Sequence, residues 1–214
     1  METSDQFKWS IIACSNHKNE YLHINALEKS NPDAQIIRMD FTNQHKNPGL
    51  ECDAVIREWF RSDLSVFDKI QYNNIAFVEY DVLITTSLPN INLENELVGP
   101  AILNRKKHPE WFNWKFLPNM LEFQHSAVIG LATFSVYFMS KNCLDIWLDE
   151  KYDPLYEQSV CCELRFPTIL YNNGVSIKTH ESLKNVIYLP SPKSIEFDSS
   201  IEGIYHPVKY STDT

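Results

Sequence analysis

Three short apolar runs punctuate the first eighty residues, and helical spacing fills the gaps between them. Trp9 to Cys14 (WSIIAC), Gln35 to Met39 (QIIRM) and Ile75 to Val78 (IAFV) are rich in β-forming residues, so each predicts a buried strand. Between the first two, Tyr21, Leu22, Ile24 and Leu27 recur at roughly helical intervals over Asn19 to Lys29, and Asn31-Pro32-Asp33 supplies a turn. Between the second and third, Gln44 to Gly49 reads as a loop. Cys52 to Leu64 follows as a helix with Val55, Ile56, Trp59 and Phe60 on one face. Strand, helix, strand, helix, strand predicts βαβ units. The expected fold class is therefore α/β, a mainly parallel sheet flanked by helices.

The second half is less regular. Val98 to Leu103 and Val128 to Met139 predict strands, Lys141 to Glu150 a helix, and Val175 to Thr179 and Val186 to Leu189 two further short strands. Cys162 to Asn172 predicts another helix, started or interrupted at Pro167. Asn104 to Asn119 (NRKKHPEWFNWKFLPN) reads as a long basic and aromatic loop, and the tail from Ser191 onward as mostly loop. One domain over residues 1–214 accommodates all of this.

Composition narrows the class. Hydrophobic residues make up 43% of the chain, enough for a core, and the net charge of −9 argues against a nucleic-acid surface, which needs clustered cations. The five cysteines show no CxxC spacing, which predicts reduced thiols in a cytoplasmic setting rather than a zinc site or a disulfide framework. The first ten residues are polar and predict no secretory leader. The longest apolar stretch, Ala127 to Met139, is broken by Gly130, Thr133 and Ser135 and predicts no membrane span.

In open sheets of this kind ligands bind beyond the carboxyl ends of the strands. Two polar sets fall there: Ser15, Asn16 and His17 after the first strand, and Glu79, Tyr80 and Asp81 after the third. In the phrase IAFVEYDVLIT the two acids are flanked on both sides by apolar strand, and charges are rarely buried without a partner. In an extended backbone residues i and i+2 share a side, so Glu79 and Asp81 are expected to converge on one hard cation, with Tyr80 on the opposite side and packed in the core. The bland alternative is a pair of solvated acids at a strand end.

A strand followed by (Asp/Glu)-x-Asp is the metal motif of GT-A-fold nucleotide-sugar glycosyltransferases, and Glu79-Tyr80-Asp81 resembles it with Glu in first place. The late block GIYHPVK, Gly203 to Lys209, is similar to the segment in which retaining members carry a metal-binding His and a diphosphate-binding Lys. The chain resembles in particular the N-terminal domains of chlorella-virus glycosyltransferases that build capsid-protein glycans.

The resemblance implies a donor-binding half over about residues 1–100 and an acceptor half over about 101–214, with further domains beyond and a monomeric state. It implies Mn²⁺ or Mg²⁺ held by Glu79, Asp81 and His206, with Lys209 on the diphosphate of a UDP-sugar, glucose and rhamnose being the candidate sugars. Ser15, Asn16, His17 and Asp40 would meet the nucleotide, and Tyr80 would lie beside it. Arg57 resembles a base or diphosphate contact, although Asp53, four residues earlier, offers a plain ion pair.

Glu163, in CCELRFPTILYNNG, resembles the acid facing the acceptor: a general base in an inverting enzyme, a stabiliser of the sugar cation in a retaining one, or simply an acid favoured at a helix N-terminus. The tryptophans of the Arg105 to Trp114 loop form a possible acceptor platform, or else dock on the core. The implied reaction is transfer to a glycan or glycoprotein acceptor, in host cytoplasm if the protein is viral. The rivals are a nucleotidyltransferase or sugar-nucleotide hydrolase on a similar sheet, and a carbohydrate-binding module without activity.

Overall fold

The computed structural model describes residues 8–15, 20–40, 48–63, 65–120, 123, 127–132, 135–184, 186–188 and 202–206, with only the backbone of 20–22, 40, 48–51 and 187–188. The first three strands and their helices follow the pattern read from the chain: β1 (Trp9–Ser15), α1 (Glu20–Ser30), β2 (Gln35–Asp40), α2 (Pro48–Ser62), the short α3 (Ser65–Lys69) and β3 (Asn74–Val78). Then come β4 (Leu83–Ile84), β5 (Glu96–Gly99), β6 (Ala101–Leu103), a 3-10 helix over Phe112–Asn119, β7 (Gly130–Ala132), β8 (Val136–Ser140) and α4 (Asn142–Leu148). A 3-10 turn at Glu150–Tyr152 leads into α5 (Asp153–Tyr156), α6 (Cys162–Asn172), β9 (Ser176–Thr179), α7 (Glu181–Lys184), β10 (Ile187–Tyr188) and β11 (Ile204–His206).

Six strands form the central sheet in the order β2-β1-β3-β8-β5-β9. The pairs β1–β2, β1–β3 and β5–β9 are parallel, and β8 pairs antiparallel with both β3 and β5. Thus β8 alone runs against the others, and the sheet is mixed but mainly parallel, flanked by helices.

Strand alternation sorts the apolar side chains onto two faces. Ile12, Cys14, Phe77, Tyr137 and Met139 join Val55, Ile56 and Phe60 of α2, Trp147 of α4 and Phe166 of α6 in one core. Ile11, Ala13, Ala76, Val78 and Phe138 join Ile24 and Leu27 of α1 and Ile84 of β4 in the other. Every side chain of β1, β3 and β8 is buried, as a strand covered on both faces requires. Each large one contributes about 1.5–3 kcal/mol by leaving water.

Several expected elements differ. The single strand expected over Val98 to Leu103 is two, because Pro100 has no N–H to continue a ladder. The strand expected over Val128 to Met139 is likewise divided into β7 and β8. The two breaks match: β5 and β8 pair in the central sheet, while β6 and β7 pair with each other in a separate ribbon. The α2 helix starts earlier than expected, with Pro48 in its first turn, where a missing N–H costs nothing. Pro167 neither starts nor ends α6 but lies inside it. That helix stops at Gly174, which has φ +81° and lets Val175 N–H reach back to the Leu170 carbonyl at 3.1 Å. The tail contributes a strand: β11 joins β10 and β4 in a three-stranded sheet. Among the described residues no helix is long and apolar enough to cross a membrane.

Candidate metal and nucleotide site

The carboxyl ends of β1, β2 and β3 lie side by side. Register pairs Ser15 with Asp40 and Ala13 with Val78, so the residues after Val78 leave the sheet at the edge that carries Ser15. Glu79 stays tied to the sheet, its N–H donating to the Ser135 carbonyl at 3.0 Å. Val82 N–H then returns to the Glu79 carbonyl at 3.2 Å. Residues 79–82 are therefore a turn, not the extended strand expected from the sequence. The two acids converge because the chain folds back, and side-chain alternation has no part in it. Tyr80 is half-buried against the α2–α6 core, as expected.

After the turn the chain enters β4, which pairs antiparallel with β11: Leu83 with Tyr205 and Ile84 with Ile204. Thr85 extends the match, its N–H donating to the Gly203 carbonyl at 2.9 Å and its Oγ1 accepting from Gly203 N–H at 3.0 Å. One residue beyond that ladder in the other direction, His206 meets the acids. Its Nε2 lies 3.6 Å from Asp81 Oδ1 and 3.8 Å from Glu79 Oε2. Both separations are too long for hydrogen bonds and are close to the spacing of two ligands each about 2.1 Å from one ion. One ligand atom from each of Glu79, Asp81 and His206 lies within 4.8 Å of the others.

The electrostatics favour a cation. Burial pushes the Glu79 carboxyl well above its ordinary range, and the charges of Asp81 and Glu163 add to the push, against a contribution from the Cys52 thiol. Burial also raises Asp81, with His206 and a backbone hydrogen bond opposing. Asp81 Oδ1 is buried and accepts no hydrogen bond. Burial lowers His206, more than the Asp81 charge raises it, which favours the neutral imidazole, the form that ligates a metal. Two carboxyls and an imidazole meeting at one partly buried spot, with one carboxylate oxygen unsatisfied, fit a hard divalent ion such as Mn²⁺ or Mg²⁺.

Glu163 sits in the first turn of α6, and its charge adds to the rise of the Glu79 carboxyl. Its Oε2 accepts a hydrogen bond of 2.8 Å from Asn113 Nδ2. Asn113 is a residue the sequence did not single out. It is buried, and its own Oδ1 has no partner. A polar residue between two tryptophans, Trp111 and Trp114 with Phe112, was the only signal available.

The Ser15 hydroxyl is also buried without a partner at the sheet edge. Asp40 has its backbone beside Ser15. Asn16, His17 and Lys209 lie outside the described residues.

Arg57 is not at the site. Its Nε donates to the Trp147 carbonyl at 3.1 Å and its Nη2 to the Asp149 carbonyl at 2.8 Å, while Nη1 pairs with Asp153 at 2.6 Å. The competing pair with Asp53 does not form either. Asp53 is held by Arg165, with Nε and Nη2 at 2.9 and 2.6 Å from its two oxygens. The Arg57 expectation is corrected: helical spacing brings residues 53 and 57 near one another, but α4 and α6 offer each a better-shaped partner.

Of the two readings of the tryptophans, a platform or a pair docked on the core, the structure shows docking. Trp111 and Trp114 pack edge to face at 4.8 Å, and Trp114 Nε1 donates to the His108 carbonyl at 2.7 Å. Gly130 leaves room for Trp111, since a Cβ there would overlap the indole. The exposed ring is Phe112, at 67%. The five cysteines are free and buried.

No protein-family model matches the chain, and no curated protein matches its sequence.

Proposed function

We propose that this chain is a metal-dependent glycosyltransferase domain of GT-A type that moves a hexose or deoxyhexose, glucose or rhamnose, from a UDP-sugar to a glycan acceptor. The observation that carries the reading is the meeting of Glu79, Asp81 and His206, 125 residues apart in the chain, at the carboxyl end of β3. Glu79, Asp81 and His206 would hold Mn²⁺ or Mg²⁺, which supplies positive charge to a diphosphate leaving group. Ser15, with its buried, unpartnered hydroxyl, and Asp40 stand at the neighbouring strand ends, where the nucleoside would lie. Asn16, His17 and Lys209 are assigned to the nucleotide and diphosphate by the sequence resemblance alone.

Glu163 would act on the sugar side. Asn113 orients it, and the helix N-terminus favours its charge. Retention of configuration follows from the resemblance of the late His-Lys block, with Glu163 stabilising the developing sugar cation. Assembly of capsid glycoprotein glycans is the setting that the same resemblance suggests.

Calorimetry of UDP with and without Mn²⁺, followed by product analysis with a panel of UDP-sugars, tests the proposal. Metal-dependent UDP binding and release of UDP with a new glycoside are expected. Release of UMP would move the protein to the nucleotidyltransferases or hydrolases, and metal-independent binding or none would leave a non-enzymatic module.

A further inference from the structure

The chain carries a net charge of −9, yet one short stretch gathers exposed cations: Arg105, Lys106, Lys107 and Lys115. Among the described residues, the side chains of Arg105, Lys106 and Lys107 make no ion pair. The one acid within the stretch, Glu110, lies 3.7 Å from His108 instead. Lys115 rests over the rings of Phe112 and Phe116. An acidic protein that leaves these exposed cations without ion pairs among the described residues offers a local field for an anion.

Beside these cations is a cavity of about 460 Å³ lined by Arg105, Trp114, Lys115, Leu117, Phe123 and Val128. Its walls combine apolar surface with two cationic residues, Arg105 and Lys115. An apolar wall with carboxylate-binding cations suits a sugar ring that carries an acid. The cavity is also next, along the chain and in packing, to residues of the proposed reaction centre. The 3-10 helix over Phe112–Asn119 presents Trp114 and Lys115 to the cavity, and one residue earlier Asn113 reaches Glu163. Trp114 and Phe123 share a core cluster with Leu164, the neighbour of Glu163.

We propose that this cavity is the acceptor subsite and that it takes an anionic saccharide, a glycan ending in a uronic acid or a comparably acidic sugar, with Arg105 and Lys115 on the acid group and the apolar wall of Leu117 and Val128 beside the ring. The identification as an acceptor subsite rests on the glycosyltransferase reading; the chemistry of the cavity does not.

The test compares cellobiouronic acid with cellobiose, which differ by one carboxylate, by NMR titration of the protein at low and high salt. The acidic sugar binds about tenfold more tightly, the roughly 1.4 kcal/mol that two exposed charge pairs supply. High salt removes the preference. Arg105→Ser with Lys115→Ser abolishes it while Mn²⁺-dependent UDP binding stays unchanged, and Arg105→Lys with Lys115→Arg retains it. Equal binding of the two sugars, no binding of either at about 10 mM, or a preference that survives the double serine variant overturns the proposal. So does binding to phosphatidylserine vesicles that the same variant loses, which would make the surface a membrane contact. A wild-type protein that prefers the acidic sugar but shows no Mn²⁺-dependent UDP binding keeps the anionic-saccharide site and overturns only the glycosyltransferase reading.

Discussion

Two clusters of buried and partly buried charge adjoin α2 and α6, and they are built on opposite rules. In the first, Asp53 and Arg165 are almost wholly buried and locked in a two-pronged pair, with Arg165 also reaching the Leu155 and Gln158 carbonyls. Burial works against the Arg165 charge, but Asp53 outweighs it and holds the guanidinium above its ordinary range. Arg57 and Arg165 both rest on the Tyr156 ring, at 4.5 and 4.3 Å. In the second cluster burial and the charges of Asp81 and Glu163 raise Glu79, burial raises Asp81, Asp81 keeps an oxygen that accepts no hydrogen bond, and the base among the described residues is an imidazole whose protonation burial disfavours. Donors and acceptors match in the first cluster and do not in the second. Matched buried charge holds a fold together; excess charge of one sign at a strand end marks a place that a ligand completes.

The largest expected effect breaks the matched side. Arg165→Met strands Asp53 in the interior and lowers unfolding free energy by about 3–5 kcal/mol, read by urea denaturation; a loss within about 1 kcal/mol would make the pair incidental. On the unmatched side Asp81→Asn does the reverse. It removes a carboxylate that resists ionisation, so the metal-free protein unfolds no earlier than wild type, yet Mn²⁺-dependent UDP affinity falls about 100-fold, or roughly 2.7 kcal/mol. A variant that is destabilised while binding persists would place Asp81 in the first class of cluster.

The pH dependence carries the same contrast. Glu79 and Asp81 have folded values raised above their unfolded ones. Their contribution to metal-free stability is therefore complete below about pH 4 and is lost as pH rises through the raised values. Metal binding needs the ionised acids and runs the other way, weakening about tenfold between pH 7 and pH 5. Calorimetric titration at the two pH values reads this, and flat affinity would remove the acids from the ligand set.

The smallest effect sharpens the boundary between the clusters. Asn113→Ala frees Glu163 and lowers kcat by about threefold to tenfold, with UDP and Mn²⁺ affinity unchanged. A change in metal affinity alone would make Asn113 a support of the cation site.

Much of the fold was legible because local pattern and burial agreed. The runs that became β1, β2 and β3 are apolar on both faces, Gly174 closes α6 as its position after an apolar helix suggests, and the pair of acids after β3 stands out against its surroundings. Elsewhere period alone misled. Val98 to Leu103 and Val128 to Met139 read as continuous strands because nothing local tells a chain that it changes sheets, and i,i+4 spacing suggested a pair between Asp53 and Arg57 that neither residue makes.

The sequence by itself determined that this is an α/β protein with a carboxylate pair at the end of a buried strand. Only the tertiary structure decided that the pair sits in a turn, that Arg57 faces α4, that Asn113 holds Glu163, and that His206 arrives beside Asp81. The reason is range. Alternation and helical spacing act between residues a few positions apart, whereas the imidazole is brought in by the short β4–β11 ladder, whose partners lie 120 and 122 residues from each other and leave no periodic mark on the chain.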